Sequence, residues 1–143
     1  MVPISKTFVS LTFALASLGM PTAPKQARTM GTVFQIVPGL GACRWTNTSA
    51  QAVSAVSATT FKNYPGVTPN PNKTNHCPRN PICHRFLEIT DSANGITVRG
   101  QIVDFFEEDP NAKANGVGIP AMQLQKVAGL DDGIIENAIW FIV

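Results

Sequence analysis

Clustered positive charge is missing from this chain. The formal net charge is only +2 over 143 residues, with acids and bases interspersed. That excludes the dense Lys/Arg footprint with which proteins neutralise nucleic-acid phosphates. The one local charge run, Glu107-Glu108-Asp109, has the opposite sign and reads as a solvated loop. Cysteine is scarce too: Cys43, Cys77 and Cys83, with no CxxC pair. His76 adjoins Cys77 and His84 adjoins Cys83, but neighbouring residues seldom ligate the same ion, so no zinc site is expected and no metal or cofactor is assigned. Neither a Gly-rich phosphate loop nor a GxSxG elbow occurs, and neither histidine belongs to a recognisable triad. Cys77 with His76 lacks the orienting third group that a nucleophile pair needs. No internal repeat stands out.

What the chain does have begins at its N-terminus. Lys6 provides a positive start, Thr7–Leu18 is apolar, and Ala14-Leu15-Ala16 supplies the small-x-small pattern of a cleavage site. These features predict a secretory signal peptide over residues 1–20, cut between residues 16 and 28. The apolar run falls short of the ~20 residues that span a bilayer, so no membrane partner is expected once the signal is removed. Secretion permits disulfides. Three cysteines allow one bridge and leave one thiol, and arithmetic alone leaves three pairings open. Two sequons, Asn47-Thr48-Ser49 and Asn72-Lys73-Thr74, are glycosylation candidates of a secreted protein.

The remaining chain, residues 31–143, reads as one domain. Thr32–Val37 is a strand, and Pro38-Gly39-Leu40-Gly41 a turn. Ala52–Ser57 alternates small apolar and hydroxyl residues, which suits a strand with one tightly packed face. Thr59–Phe61 suits a helical turn. Asn63–Pro81, rich in Pro and Asn, is a long surface loop of the kind that carries function or stays mobile. Phe86–Thr90 and Ile96–Asp104 are strands joined by Asp91-Ser92-Ala93-Asn94-Gly95, whose Asn-Gly pair suits positive φ. Phe105–Gly118 is a second loop. Ile119–Ala128 fits a short helix with Pro120 in its first turn and Gly129 as its stop, and Ile134–Val143 is a closing strand. Some six strands at short spacing without βαβ alternation predict an all-β fold closed into a small barrel, since closure removes exposed edges.

GLGACRWTN (Gly39–Asn47) resembles the Gly-x-Gly-Ala-Cys-Gly-Trp-Thr-Asn opening of fungal expansin-like and loosenin-like proteins. Their relatives include RlpA-like domains and barwin-like plant defence proteins. CHRFLEITDSANGITVRGQIVD (Cys83–Asp104) is similar, without gaps, to the segment that starts Cys-Gly-Lys and ends Val-Asp in the barwin-like group. Ala52–Ser57, Pro120-Ala121-Met122 and Ala138-Ile139-Trp140 resemble further family segments in the same order. The resemblance implies a six-stranded double-psi β-barrel with one or two short helices. It also implies a Cys43–Cys83 disulfide. Cys77 matches a cysteine whose usual partner position is here Phe106, so it is expected to be an unpaired thiol or to bridge another molecule.

The same resemblance bears on chemistry. Glycoside hydrolysis needs two carboxylates across the scissile bond. The family keeps an Asp matching Asp104 and a second Asp at the start of the late helix, where alignment on Pro120 places Val117. A valine donates no proton. Phe34 and Ile36 fall where the family carries a Thr and a surface Tyr, whereas Thr32 is kept. Glu107, Glu108 or Asp109 could replace the lost acid only by standing about 5–9.5 Å from Asp104 across a sugar. Asp104 is therefore at most a vestigial catalytic residue. It either binds a sugar hydroxyl or caps backbone N–H groups at a strand end, and with its partner gone the second role is preferred. Trp45 is a candidate sugar platform or a lid on the disulfide. Tyr64 is a candidate exposed contact, and Trp140 reads as core.

The function expected is thus a secreted, monomeric, non-catalytic expansin-like protein in the extracellular space or cell wall. It would bind or loosen cell-wall polysaccharide such as chitin, cellulose or a related glucan through Thr32, Trp45, Tyr64 and Asp104. The alternative is a secreted effector or enzyme inhibitor that meets a host protein with its Asn63–Pro81 and Phe105–Gly118 loops. A weak glycoside hydrolase comes third.

Overall fold

A computed structural model describes residues 27–67, 80–107, 115–129 and 133–143. Six strands and two helices follow in the order β1 (Thr29–Ile36), β2 (Val53–Ser57), α1 (Ala58–Lys62), β3 (Phe86–Thr90), β4 (Thr97–Phe106), β5 (Val117–Pro120), α2 (Ala121–Ala128) and β6 (Ile134–Ile142). The strands close into a barrel with the order β1-β5-β2-β4-β3-β6. β1 with β5 and β2 with β4 are parallel, and the other four pairings are antiparallel. Cys77, Asn72, Glu108, Asp109 and the signal segment lie outside the described residues.

Alternation along the strands points Val33, Val56, Leu87, Ile89, Ile102, Val117, Ile119 and Trp140 into one shared core. Both helices lie where hydroxyl or proline chemistry starts them. Ser57 caps α1 by accepting from the Thr60 N–H, as N-cap hydroxyls do. Pro120 occupies the N-cap of α2, which buries Leu124 and Val127 one turn apart. Gln123 stands three residues inside that cap, the place from which a Gln normally returns a hydrogen bond to the cap's N–H. Proline has no N–H, and the buried Gln123 Oε1 is left without a partner.

Three expectations are corrected here. The late helix begins at Ala121, since Ile119 and Pro120 belong to β5, a strand whose four residues VGIP hide it among turn formers. The stretch expected to be a loop from Phe105 is also shorter, since β4 runs on to Phe106. β2 is buried along its whole length instead of on one face. β4 approaches it closely at Gly100, where a Cβ would stand 2.9 Å from the Val53 carbonyl oxygen. The hairpin turn behaves as its sequence predicts. Asp91 Oδ1 accepts from the Ala93 N–H, Asn94 Oδ1 from the Ile96 N–H, and Gly95 takes the positive φ.

Candidate functional site

The parallel pairing of β2 with β4 slips by one residue between Ser54 and Ala55: Ser54 faces Ile102, and Ala55 faces Asp104. Val103 is the extra residue of this bulge. Bulges re-aim side chains, and this one also frees a carbonyl, because Val103 O accepts the Cys43 N–H at 3.0 Å. The loop between β1 and β2 is thereby laid onto β4. Gly41 makes the approach possible, since a Cβ there would stand 2.3 Å from the Val103 oxygen. The loop is tied internally by Gly41 N–H to Trp45 O, Asn47 N–H to Gly39 O, and the Asn47 amide to Trp45 O at 2.8 Å. The Cys43–Cys83 disulfide fastens it to the segment before β3, as the family resemblance implies.

Asp104 emerges just past the bulge, half-buried. Its Oδ1 accepts from the Ala42 N–H and from the Phe105 N–H, both at 2.9 Å. A cleft of about 240 Å³ opens beside it, walled by Ile36–Gly39 on one side and by Val53, Ala55 and Val103–Phe106 on the other, with Gly41 and Asn47 completing it. Among the described residues, Asp104 is the only charged side chain in that lining. On the β1 side the surface is sealed by hydrocarbon. Phe34 and Phe106 pack edge to face with centroids 4.8 Å apart. Ile36 lies over Gly118, where a Cβ would meet it at 2.3 Å. Ile36 and Phe106 thus line the cleft from β1 and β4, and Phe34 packs against Phe106 outside the lining. Val117 is fully buried in the core, paired between β1 and β2. The residue of β5 that looks toward Ile36 is Gly118, one position on.

The expected site residues do not all meet. Asp104 lines the cleft; Thr32, Trp45 and Tyr64 do not. Thr32 is half-buried at the irregularity in the β1–β6 register between Gly31 and Val33. Trp45 is half-exposed and rests on His84, ring centroids 4.1 Å apart. Tyr64, expected as an exposed contact, is half-buried and packs against the core just past the end of α1. Asn47, a glycosylation candidate by sequence, is 6 % exposed in the fold, and its amide nitrogen donates to Trp45 O. Glu107 is exposed and pairs with Lys62 at 3.5 Å, away from the cleft lining. Trp140 is core, as expected, with its ring N–H on Asn115 O.

Two features of the site escape residue-by-residue reading. Val37 and Leu40, 90 % and 75 % exposed, stand on the rim as bare hydrocarbon. The sequence shows them only as neighbours of a Pro-Gly turn. The residues after the two bridged cysteines, Arg44 and His84, both adopt positive φ, 63° and 70°. At both positions the resembled motifs carry glycine, and that was the available signal.

No family model matches the sequence, and no curated protein is similar to it at a significant level. Solved structures are similar. The Streptomyces papain inhibitor superposes with a TM-score of 0.61 at 25 % identity, covering 85 % of this chain and 99 % of its own. An expansin from Clavibacter michiganensis, in its apo form, gives 0.55 at 16 % identity over 82 % of this chain and 50 % of its own. A mutant of that expansin in complex with cellohexaose gives 0.50 at 18 % identity with the same coverage. The chain is a double-psi β-barrel. The barrel spans about half the length of the expansins it resembles and almost all of the inhibitor. It is a scaffold shared by expansins and by an inhibitor, and neither neighbour is named for hydrolysis.

Proposed function

We propose that this barrel is a secreted, non-catalytic protein-binding module of the protease-inhibitor kind, which docks an extracellular enzyme with the Val37–Asn47 loop and the Asp104 cleft. The observation that carries the reading is the composition of that face. Val37 and Leu40 project bare hydrocarbon beside the cleft, Ile36 and Phe106 contribute hydrocarbon to its lining, and Phe34 packs behind Phe106. Protein interfaces are centred on such desolvated apolar anchors. A glycan groove instead needs a row of hydrogen-bonding groups and exposed flat rings. The similarity over the full length of the papain inhibitor supports the choice of a cysteine protease as first target. The disulfide supports an oxidising, extracellular location.

The test is a titration of papain activity with the purified protein. Stoichiometric inhibition is expected, reduced by about tenfold or more in a Val37→Asp, Leu40→Asp double variant that leaves the core untouched. Undiminished papain activity at saturating protein overturns the inhibitor reading.

Polysaccharide binding is the second reading, favoured by half-exposed Trp45 on the same loop. It requires retention on chitin, cellulose or crude cell wall that is lost in Trp45→Ala. Hydrolysis has weaker support, because Asp104 is the only acid of the described cleft lining and its Oδ1 already serves two backbone donors. Asp104-dependent release of reducing sugar would restore it.

A further inference from the structure

We infer that the Asp104 cleft is the receptor for a single lysine side chain of the partner protein; this deepens the protein-binding reading and rests on it. At about 240 Å³ the cleft is smaller than the roughly 300–1,000 Å³ pockets that enclose drug-sized molecules. It therefore suits one side chain better than a run of sugar rings. Its lining mixes hydrocarbon from Ile36, Val37, Pro38, Val53 and Phe106 with the Asn47 amide and glycine backbone, and among the described residues its one charge is the Asp104 carboxylate. Among the described residues no lysine, arginine or histidine pairs with that carboxylate; the ion pairs found are Lys62–Glu107 and Arg99–Glu88. A half-buried anion in a cup that is more apolar than polar, held among the described residues only by neutral N–H donors, is complementary to a cation on an apolar stem. Lysine buries its methylenes and presents a compact ammonium.

The geometry of the carboxylate selects between the two long cations. Both backbone N–H groups, from Ala42 and Phe105, converge on Oδ1. A guanidinium binds a carboxylate best as a fork across both oxygens. With Oδ1 committed twice, that fork cannot close, whereas an ammonium needs only one oxygen. The apolar rim at Val37 and Leu40 would then be covered by the partner's backbone around the inserted residue and exclude water from the pair.

The probe is N-acetyl-lysine methylamide titrated into the ¹⁵N-labelled protein, with the Ala42 and Phe105 amide resonances as readout, against the arginine and norleucine counterparts. Saturable shifts are expected for lysine with a dissociation constant of about 1–10 mM, the range open to one anchored side chain. The arginine compound should bind at least about fivefold more weakly because its fork is blocked, and norleucine should not saturate. In Asp104→Asn the amide oxygen still accepts both N–H groups, so the fold and both resonances persist while lysine binding falls at least about tenfold with the charge. Arginine binding as tight as lysine, lysine binding unaltered in Asp104→Asn, or no saturable lysine response each overturns the inference. Papain titrations run in parallel separate the two levels. Inhibition equal in wild type and Asp104→Asn removes the lysine anchor and leaves the inhibitor reading standing. Lysine saturation without any inhibition does the reverse.

Discussion

Arg44 and His84 show how single residues carry the tension of this site. Each follows a bridged cysteine, and each holds a positive φ that costs an L-residue about 1–2 kcal/mol. Glycine takes such a φ freely, and the resembled motifs use it twice. Arg44→Gly should therefore raise stability by about 0.5–1 kcal/mol, after allowance for the looser unfolded chain; the midpoint of urea unfolding reads it directly. His84→Gly relieves the same backbone but removes the ring on which Trp45 rests, so its gain should be smaller. Asp104 gives the opposite case. Asp104→Ala strands the Ala42 and Phe105 N–H groups and should cost about 1–3 kcal/mol. Asp104→Asn keeps both bonds and should cost less than half of that by the same urea measurement. Equal losses in the two variants would mean that charge, not capping, holds the loop.

At the scale of elements, the Val103 bulge, the Gly39–Asn47 loop and the disulfide act as one device. The bulge exposes a carbonyl, Gly41 lets the loop reach it, and the Cys43–Cys83 bond closes a 40-residue separation. Replacing both cysteines by alanine should lower stability by about 2–4 kcal/mol, and denaturant titration of the variant checks it. Most elements were legible because their signals are local. Strand formers such as Ile89, Val98, Ile102 and Val103 marked β3 and β4, Asn94-Gly95 marked the turn, and Thr59–Phe61 marked the helical turn of α1. β5 was not, since Val117-Gly118-Ile119-Pro120 has two turn formers in four residues and owes its strand state to pairing with β1 and β2, far away in sequence. The site was legible in the same uneven way. Asp104 and the two bridged cysteines are marked by motif. That Phe34 and Ile36 of β1 come near Phe106 of β4 depends on barrel closure between strands remote in sequence, and no spacing along the chain encodes it.

For the whole molecule, closure means that every strand has two hydrogen-bonded neighbours. No edge is left to open by itself, and strand pairs that are remote in sequence must be lost together. Native-state hydrogen exchange should therefore show the slowest amides of β1, β3, β4 and β6 merging into a single opening with the free energy of global unfolding. A separate, lower-energy opening of β6 would show that the cylinder has a seam.

β6 is the last strand in chain order, and it fits between β1 and β3, which the preceding elements leave apart. During synthesis the ribosome therefore releases every other strand before the one that completes the wall. Until β6 emerges, two unpaired margins are open to self-association. The barrel thus depends on β6 as a keystone, and a chain that stops short of it leaves the margins of β1 and β3 bare.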